Sequence, residues 1–157
     1  MIFVTTGTQV PFDRLVMAMD KFASEAGEEV IIQAFNGKYK AKKAKVVQFI
    51  SPDEFDEMFQ KARIVVAHAG IGTIVTALEK EKPLIVFPRL ARFGEHRNNH
   101  QVDTAIKMKQ LNYVYVADNE EKLFQLLSDT NLHPLAKIGR YASPDLIDSV
   151  SKFIIGI

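Results

Sequence analysis

The stretch Val66-Ala-His-Ala-Gly-Ile-Gly-Thr-Ile-Val-Thr-Ala-Leu-Glu79 (VAHAGIGTIVTALE) joins two periodicities. The apolar run ending at Ala67 reads as a short buried strand. After the glycines, Ile71, Ile74, Val75 and Leu78 recur at helical spacing. A strand that turns through glycine into a helix is the repeating unit of a parallel α/β sheet. A helix beginning near Gly70 exposes its first amides, and its dipole places partial positive charge there. Thr73 adds a hydroxyl and His68 a ring nitrogen. The same residues fit two readings: a tight turn that only needs Gly70 and Gly72, or a cradle for a phosphate.

The same alternation runs outward in both directions. Met1–Thr6, Val30–Gln33, Val46–Ile50, Arg63–Ala67, Pro83–Phe87 and Tyr113–Val116 read as short strands. Between the first two, Phe12, Leu15, Val16, Met19 and Phe22 form a helical stripe, with Pro11 near its start and Gly27 near its end. Ser51-Pro52-Asp53-Glu54 has the form of a capping box and starts a helix with Phe55, Met58, Phe59 and Ala62 as its buried face. A polar loop, Arg89–Asn98, leads into a helix to about Leu111. Asp118 with Glu121 is expected to cap the next, and Ser143-Pro-Asp145 to start a last one ending in Phe153-Ile-Ile-Gly-Ile157. The segment 36–45 carries five lysines and reads as an exposed connection. Short apolar strands without clean alternation predict a doubly wound, Rossmann-like parallel sheet covered on both faces.

Composition bounds the rest. A chain of 157 residues, 47% hydrophobic, fits one domain over 1–157 with a real core. Twenty basic against 19 acidic residues leave a net charge of +1, which gives no global field for nucleic acid. The absence of cysteine excludes disulfides, thiolate chemistry and cysteine-bound zinc. No membrane span or signal peptide is visible, so a soluble chain is expected, with any membrane contact peripheral or made through a partner.

In an open parallel sheet, ligands bind beyond the carboxyl ends of the strands, where strand order reverses. An order of 3-2-1-4-5-6 puts strands one and four at that point. Their loops are Thr6-Gly-Thr-Gln9 and His68-Ala-Gly-Ile-Gly-Thr73, and the loop carrying Arg89, Arg92, His96, Arg97, His100 and Gln101 lies on the same edge. A nicotinamide-dependent oxidoreductase fits poorly. The glycine pattern lacks its third glycine and follows strand four, and Pro88-Arg89 stand where a ribose-binding acid is expected. No Gly-Lys-Ser/Thr follows the turn, which excludes a P-loop. His96 and His100 lack a third ligand with metal spacing, so no metal is expected.

The segments HAGIGTIVTALEKEKPLIVFPR and NNHQVDTA, with the opening IFVTTGTQVPFDRLV, resemble the nucleotide-sugar half of family 28 GT-B glycosyltransferases. The likeness is best to small single-domain members, the donor subunits of dolichol-pathway and bacterial exopolysaccharide or capsule transferases. The resemblance implies half of a GT-B enzyme that moves a hexose from a UDP-sugar to a lipid-linked saccharide. No metal or other cofactor is implied. A membrane-anchored subunit would bind the acceptor and supply the general base, recruiting this chain to the cytoplasmic face of a membrane.

By position in the family motifs, Gly7, Thr8, His68, Gly70, Gly72 and Thr73 match the donor diphosphate site. His100 and Gln101 match the pair that reads sugar hydroxyls. Phe49 and Ile50 fall where the uracil packs. Where many relatives hold the ribose with an acid, this chain has Thr76, and Glu79 lies one turn further along. Either residue fits the nucleoside side of the site. A non-catalytic subunit that stimulates a partner transferase is the remaining alternative.

Overall fold

The computed structural model describes residues 1–7 and 10–139. Six parallel strands form one sheet: β1 (Ile2–Thr5), β2 (Val30–Gln33), β3 (Lys45–Val47), β4 (Ile64–Ala67), β5 (Leu84–Val86) and β6 (Tyr115–Val116). Their order is β3-β2-β1-β4-β5-β6, the expected one. β1 pairs with β2 (Val4 against Ile32) and with β4 (Val4 against Val66), so the chain reverses direction across the sheet at β1 and β4.

Successive side chains of a strand point to opposite faces, and the core divides accordingly. Ile2, Val4, Ile32, Val66 and Ile85 face α1 (Asp13–Ala26) and α5 (Glu120–Ser128), meeting Leu15, Met19 and Leu123. Phe3, Ile31, Val65 and Val86 face α2 (Pro52–Lys61), α3 (Ile71–Glu79) and α4 (His100–Gln110), meeting Phe59, Ile74, Leu78 and Ala105. Phe3, Phe55 and Phe59 pack with centroids 5.4–6.3 Å apart, an arrangement that adds specific geometry to the buried area. Burial on both faces explains why these strands read as continuous apolar runs.

The capping box at α2 is formed as read: Ser51 accepts from the Glu54 amide, and Glu54 accepts from the Ser51 amide at 2.8 Å. Other boundaries differ. β3 stops at Val47, because the last ladder bond runs from the Ala34 amide to the Val47 carbonyl and Gln48 turns away to Asn36. Phe49 and Ile50 therefore follow the strand. At α5 the cap is Asn119, not Asp118: its side chain accepts from the Lys122 amide at 2.7 Å. On α3, Ile71 and Val75 are 52% and 37% exposed rather than buried. They share one stripe four residues apart, and only the stripe of Ile74 and Leu78 meets the sheet. The C-terminal helix expected from Ser143 lies outside the described residues.

Candidate functional site at the carboxyl edge of the sheet

β1 and β4 end side by side, and their following loops meet. The β1 loop is held from beneath. Thr5 donates its hydroxyl to Gln33 Oε1 at 2.6 Å, and the Thr6 amide donates to the Gln33 carbonyl at 3.0 Å. Gly7 then takes φ +78°, a left-handed conformation that glycine adopts without the strain a Cβ brings.

The β4 loop carries His68 into the space between two glycines. A Cβ at Gly7 would stand 3.1 Å from His68 Cε1, and one at Gly70 only 2.5 Å from Nε2. Gly70 is thus needed for the ring to lie where it does, while at Gly7 a side chain would crowd the ring and strain the backbone. His68 Nδ1 is buried and has no hydrogen-bond partner among the described residues. Burial lowers the His68 pKa from its ordinary value, and the positive charge of Arg89 lowers it further. The ring is therefore held neutral, half-buried, with an unsatisfied nitrogen.

Gly70 is the N-cap of α3, and no side chain caps the helix. The Gly70 amide is already spent on the His68 carbonyl at 2.8 Å. The free donors at this terminus are the Ile71, Gly72 and Thr73 amides, one residue narrower than the expected Gly70–Thr73 cradle. A Cβ at Gly72 would meet nothing within 4 Å, so the approach to these amides is open.

The third wall comes from the β5 loop. Arg89 is only 3% exposed. Its Nη1 donates to the Pro11 carbonyl at 2.6 Å, and its Nη2 to the Thr6 and Val10 carbonyls at 2.9 and 2.7 Å. The guanidinium also lies 4.4 Å from the Phe12 ring centroid. Both Nη groups are thus tied to the β1 loop, and toward a ligand the side chain offers charge. Gln101, buried in the first turn of α4, accepts from the Arg89 amide at 3.1 Å. Arg14 pairs with both oxygens of Glu95 and donates to the Pro88 carbonyl, which fixes the course of the loop between them.

Thr6, Gly7, Val10, His68, Arg89, His96 and Gln101 line one open cleft of ≈ 340 Å³. Of the residues read from sequence, Gly7, His68 and Gln101 line it, and Gly70 supports it through the His68 ring. Gly72 and Thr73 stand at the adjacent helix terminus. His100 sits on the rim, its Nδ1 2.6 Å from Asn98 Oδ1 and its ring edge-on to His96 at 4.3 Å. Thr76 donates its hydroxyl to the Gly72 carbonyl at 2.9 Å, and Glu79 ends α3 in solvent. Phe49 is 86% exposed beyond β3, while Ile50 packs against the core. Thr8 lies outside the described residues.

The sequence places Arg89 and His96 on a loop at this edge without giving either a role, and it does not single out Val10. Arg89 directly follows Pro88 at the end of an apolar strand, and a charge at that sheet edge is the signal that marks it. His96 has no sequence signal of its own. It enters the cleft because α4 begins only at His100, which leaves His96 in the loop, and its Nδ1 is also buried without a partner among the described residues.

Comparison with known proteins identifies the family and the fold. Residues 1–145 match the glycosyltransferase family 28 C-terminal domain. The human UDP-N-acetylglucosamine transferase subunit ALG13 is 29% identical over 125 residues, 73% of this chain and 11% of that protein. Its Saccharomyces cerevisiae counterpart is 26% identical over 156 residues, with 73% and 75% covered. The chain thus spans about a tenth of the length of the human relative. Among solved structures, that of ALG13 by NMR superposes with a TM-score of 0.56 at 23% identity, over 95% of this chain and 93% of that one. The MurG crystal structure from Acinetobacter baumannii gives 0.65 at 14% identity, over 99% of this chain and 49% of that one. With a family match over nearly its whole length and the Rossmann-like sheet to go with it, the chain belongs to the glycosyltransferase family 28 C-terminal domain family.

Proposed function

We propose that this chain is the donor-binding half of a two-chain glycosyltransferase, moving a hexose from a UDP-sugar to a lipid-linked saccharide. The observation that carries the reading is the neutral His68 ring. It is wedged between Gly7 and Gly70, with its Nε2 against the N-cap of the uncapped α3.

Departure of the nucleoside diphosphate builds negative charge on the β-phosphate. The Ile71, Gly72 and Thr73 amides, the Thr73 hydroxyl and the buried charge of Arg89 are preorganised to stabilise it. We assign Gln101 and His100 to the sugar hydroxyls. Phe49, Ile50, Thr76 and Glu79 are assigned to the nucleoside side. The acceptor hydroxyl must also lose a proton. We assign that base to a membrane-anchored acceptor-binding subunit, which would hold this chain at the cytoplasmic face. The curated relatives are themselves named as subunits.

The purified chain is expected to be stabilised against heat by UDP and UDP-sugars more than by NADPH, and to transfer sugar to a lipid-linked acceptor only with its partner. Full turnover by the chain alone would overturn the split-enzyme reading. Preferential stabilisation by NADPH would favour an oxidoreductase. Full activity of the complex with His68→Ala and Gln101→Ala would make this chain a non-catalytic stimulating subunit.

A further inference from the structure

A second feature lies on the crossover from β2 to β3. Lys38, Lys40, Lys42, Lys43 and Lys45 are all exposed, and none of them is in an ion pair among the described residues. No acidic residue occurs between Ala34 and Ser51. Without these five lysines the chain has 15 basic against 19 acidic residues, so they form the positive end of an otherwise acidic domain.

The crossover is not a loose loop. Asp20, buried on α1, accepts from the Lys42, Lys43 and Ala44 amides at 2.7–3.0 Å and from the Tyr39 hydroxyl at 2.7 Å. The backbone is thereby pinned to the domain, and the lysine side chains leave it on the solvent side. Between them Phe35 and Val46 are 41% and 42% exposed and share the lining of a cleft of ≈ 310 Å³ with Tyr39 and Lys40.

We propose that this face docks on a bilayer surface containing anionic lipid. Clustered lysines are attracted to such a surface, with about a five-fold gain in affinity for each. Their alkyl stems lie along apolar contacts while the ammonium groups stay at the headgroups. Phe35 and Val46 supply apolar area of the kind that interfacial binding uses, and a partner held through its phosphates alone, such as a DNA duplex, has no use for it. The contact is independent of the donor site.

The test is co-sedimentation of the full chain with vesicles of equal parts phosphatidylcholine and phosphatidylglycerol, against phosphatidylcholine alone. Binding is expected only with the anionic vesicles and should weaken in high salt. Lys38→Gln, Lys40→Gln and Lys43→Gln combined should reduce it on the order of a hundred-fold. The corresponding arginine triple variant should retain it, and Phe35→Ser should weaken it without changing the salt dependence. Each variant's melting temperature and UDP response check its fold and leave the donor site as an independent readout. Equal binding to both vesicle types, or glutamine variants that bind like the parent, would overturn the proposal. So would a DNA duplex that binds as tightly as the anionic vesicles and is unaffected by Phe35→Ser.

Discussion

The imidazole of His68 lies so close to Gly70 that a Cβ there would stand 2.5 Å from Nε2, whereas a Cβ at the neighbouring Gly72 would meet nothing. The two glycines of one turn thus serve different ends. Gly70 admits a side chain of the protein itself, and Gly72 keeps open the approach to the helix terminus.

Two alanine substitutions separate these roles. Gly70→Ala must displace the His68 ring and is expected to lower both stability and UDP affinity. Gly72→Ala replaces a helical glycine and should leave the unfolding free energy unchanged or raise it, by up to roughly 0.5–1 kcal/mol. It should nevertheless weaken UDP binding by crowding the phosphate. Calorimetric titration of both variants checks this, and unchanged affinity in Gly72→Ala would remove the phosphate from that terminus.

His68 gives a pH signature. Its folded-state pKa lies below the ordinary 6.5, so the unfolded chain takes up the proton first as pH falls. Its contribution to stability is complete above 6.5 and is lost as pH falls from there through the folded-state value. A bound diphosphate favours the charged ring and should raise the pKa. Titration of the His68 ring protons by NMR, with and without UDP, reads both effects. A pKa that UDP leaves unmoved would exclude His68 from the diphosphate contact.

Asp20 should govern the basic crossover. Burial alone would raise its pKa, but the Lys42, Ala44 and Lys43 amides and the Tyr39 hydroxyl outweigh burial and hold it at about 2, against an ordinary 3.8. The stabilisation is complete above 3.8 and lost as pH falls through about 2. Asp20→Asn keeps the shape but loses the charge-assisted bonds, and about 2–3 kcal/mol of stability is expected to go with them. Denaturant unfolding measures the loss. Proteolysis within 38–44 should accelerate in the variant, and an unchanged cleavage rate would show that Asp20 does not restrain the loop.

Arg89→Met tests the clamp beneath the cleft. It leaves the Thr6, Val10 and Pro11 carbonyls without their donor, and a loss of about 2–3 kcal/mol is expected on unfolding. The His68 pKa should rise in the variant, because the positive charge that lowers it is gone. A His68 pKa that stays where it is would mean that burial alone sets it.

What the sequence disclosed follows the range of the interactions involved. The capping box at Ser51 is local and was readable from four residues. The strand order follows from alternation and the switch-point rule, and the glycine turn at Gly70 is visible because only glycine tolerates such close approach. The Asn119 cap was misplaced by one residue because Asp118 and Asn119 both have capping side chains. The loop of Arg89 and His96 was placed at the right edge, but which of its side chains enter the cleft is set by tertiary packing, and Asp20 reads from sequence as an ordinary helix charge. Its partners lie 19–24 residues away, where no helical period connects them.

On the proposed function, the cleft at the end of β1 and β4 holds the diphosphate of a UDP-sugar. Amide-resolved NMR titration of the isotopically labelled chain with UDP tests it most directly. Saturable shifts are expected, centred on the amides of Ile71, Gly72 and Thr73 and on the His68 ring, with smaller ones at Gly7 and Gln101. Saturable binding that leaves those signals in place and moves others instead would contradict it.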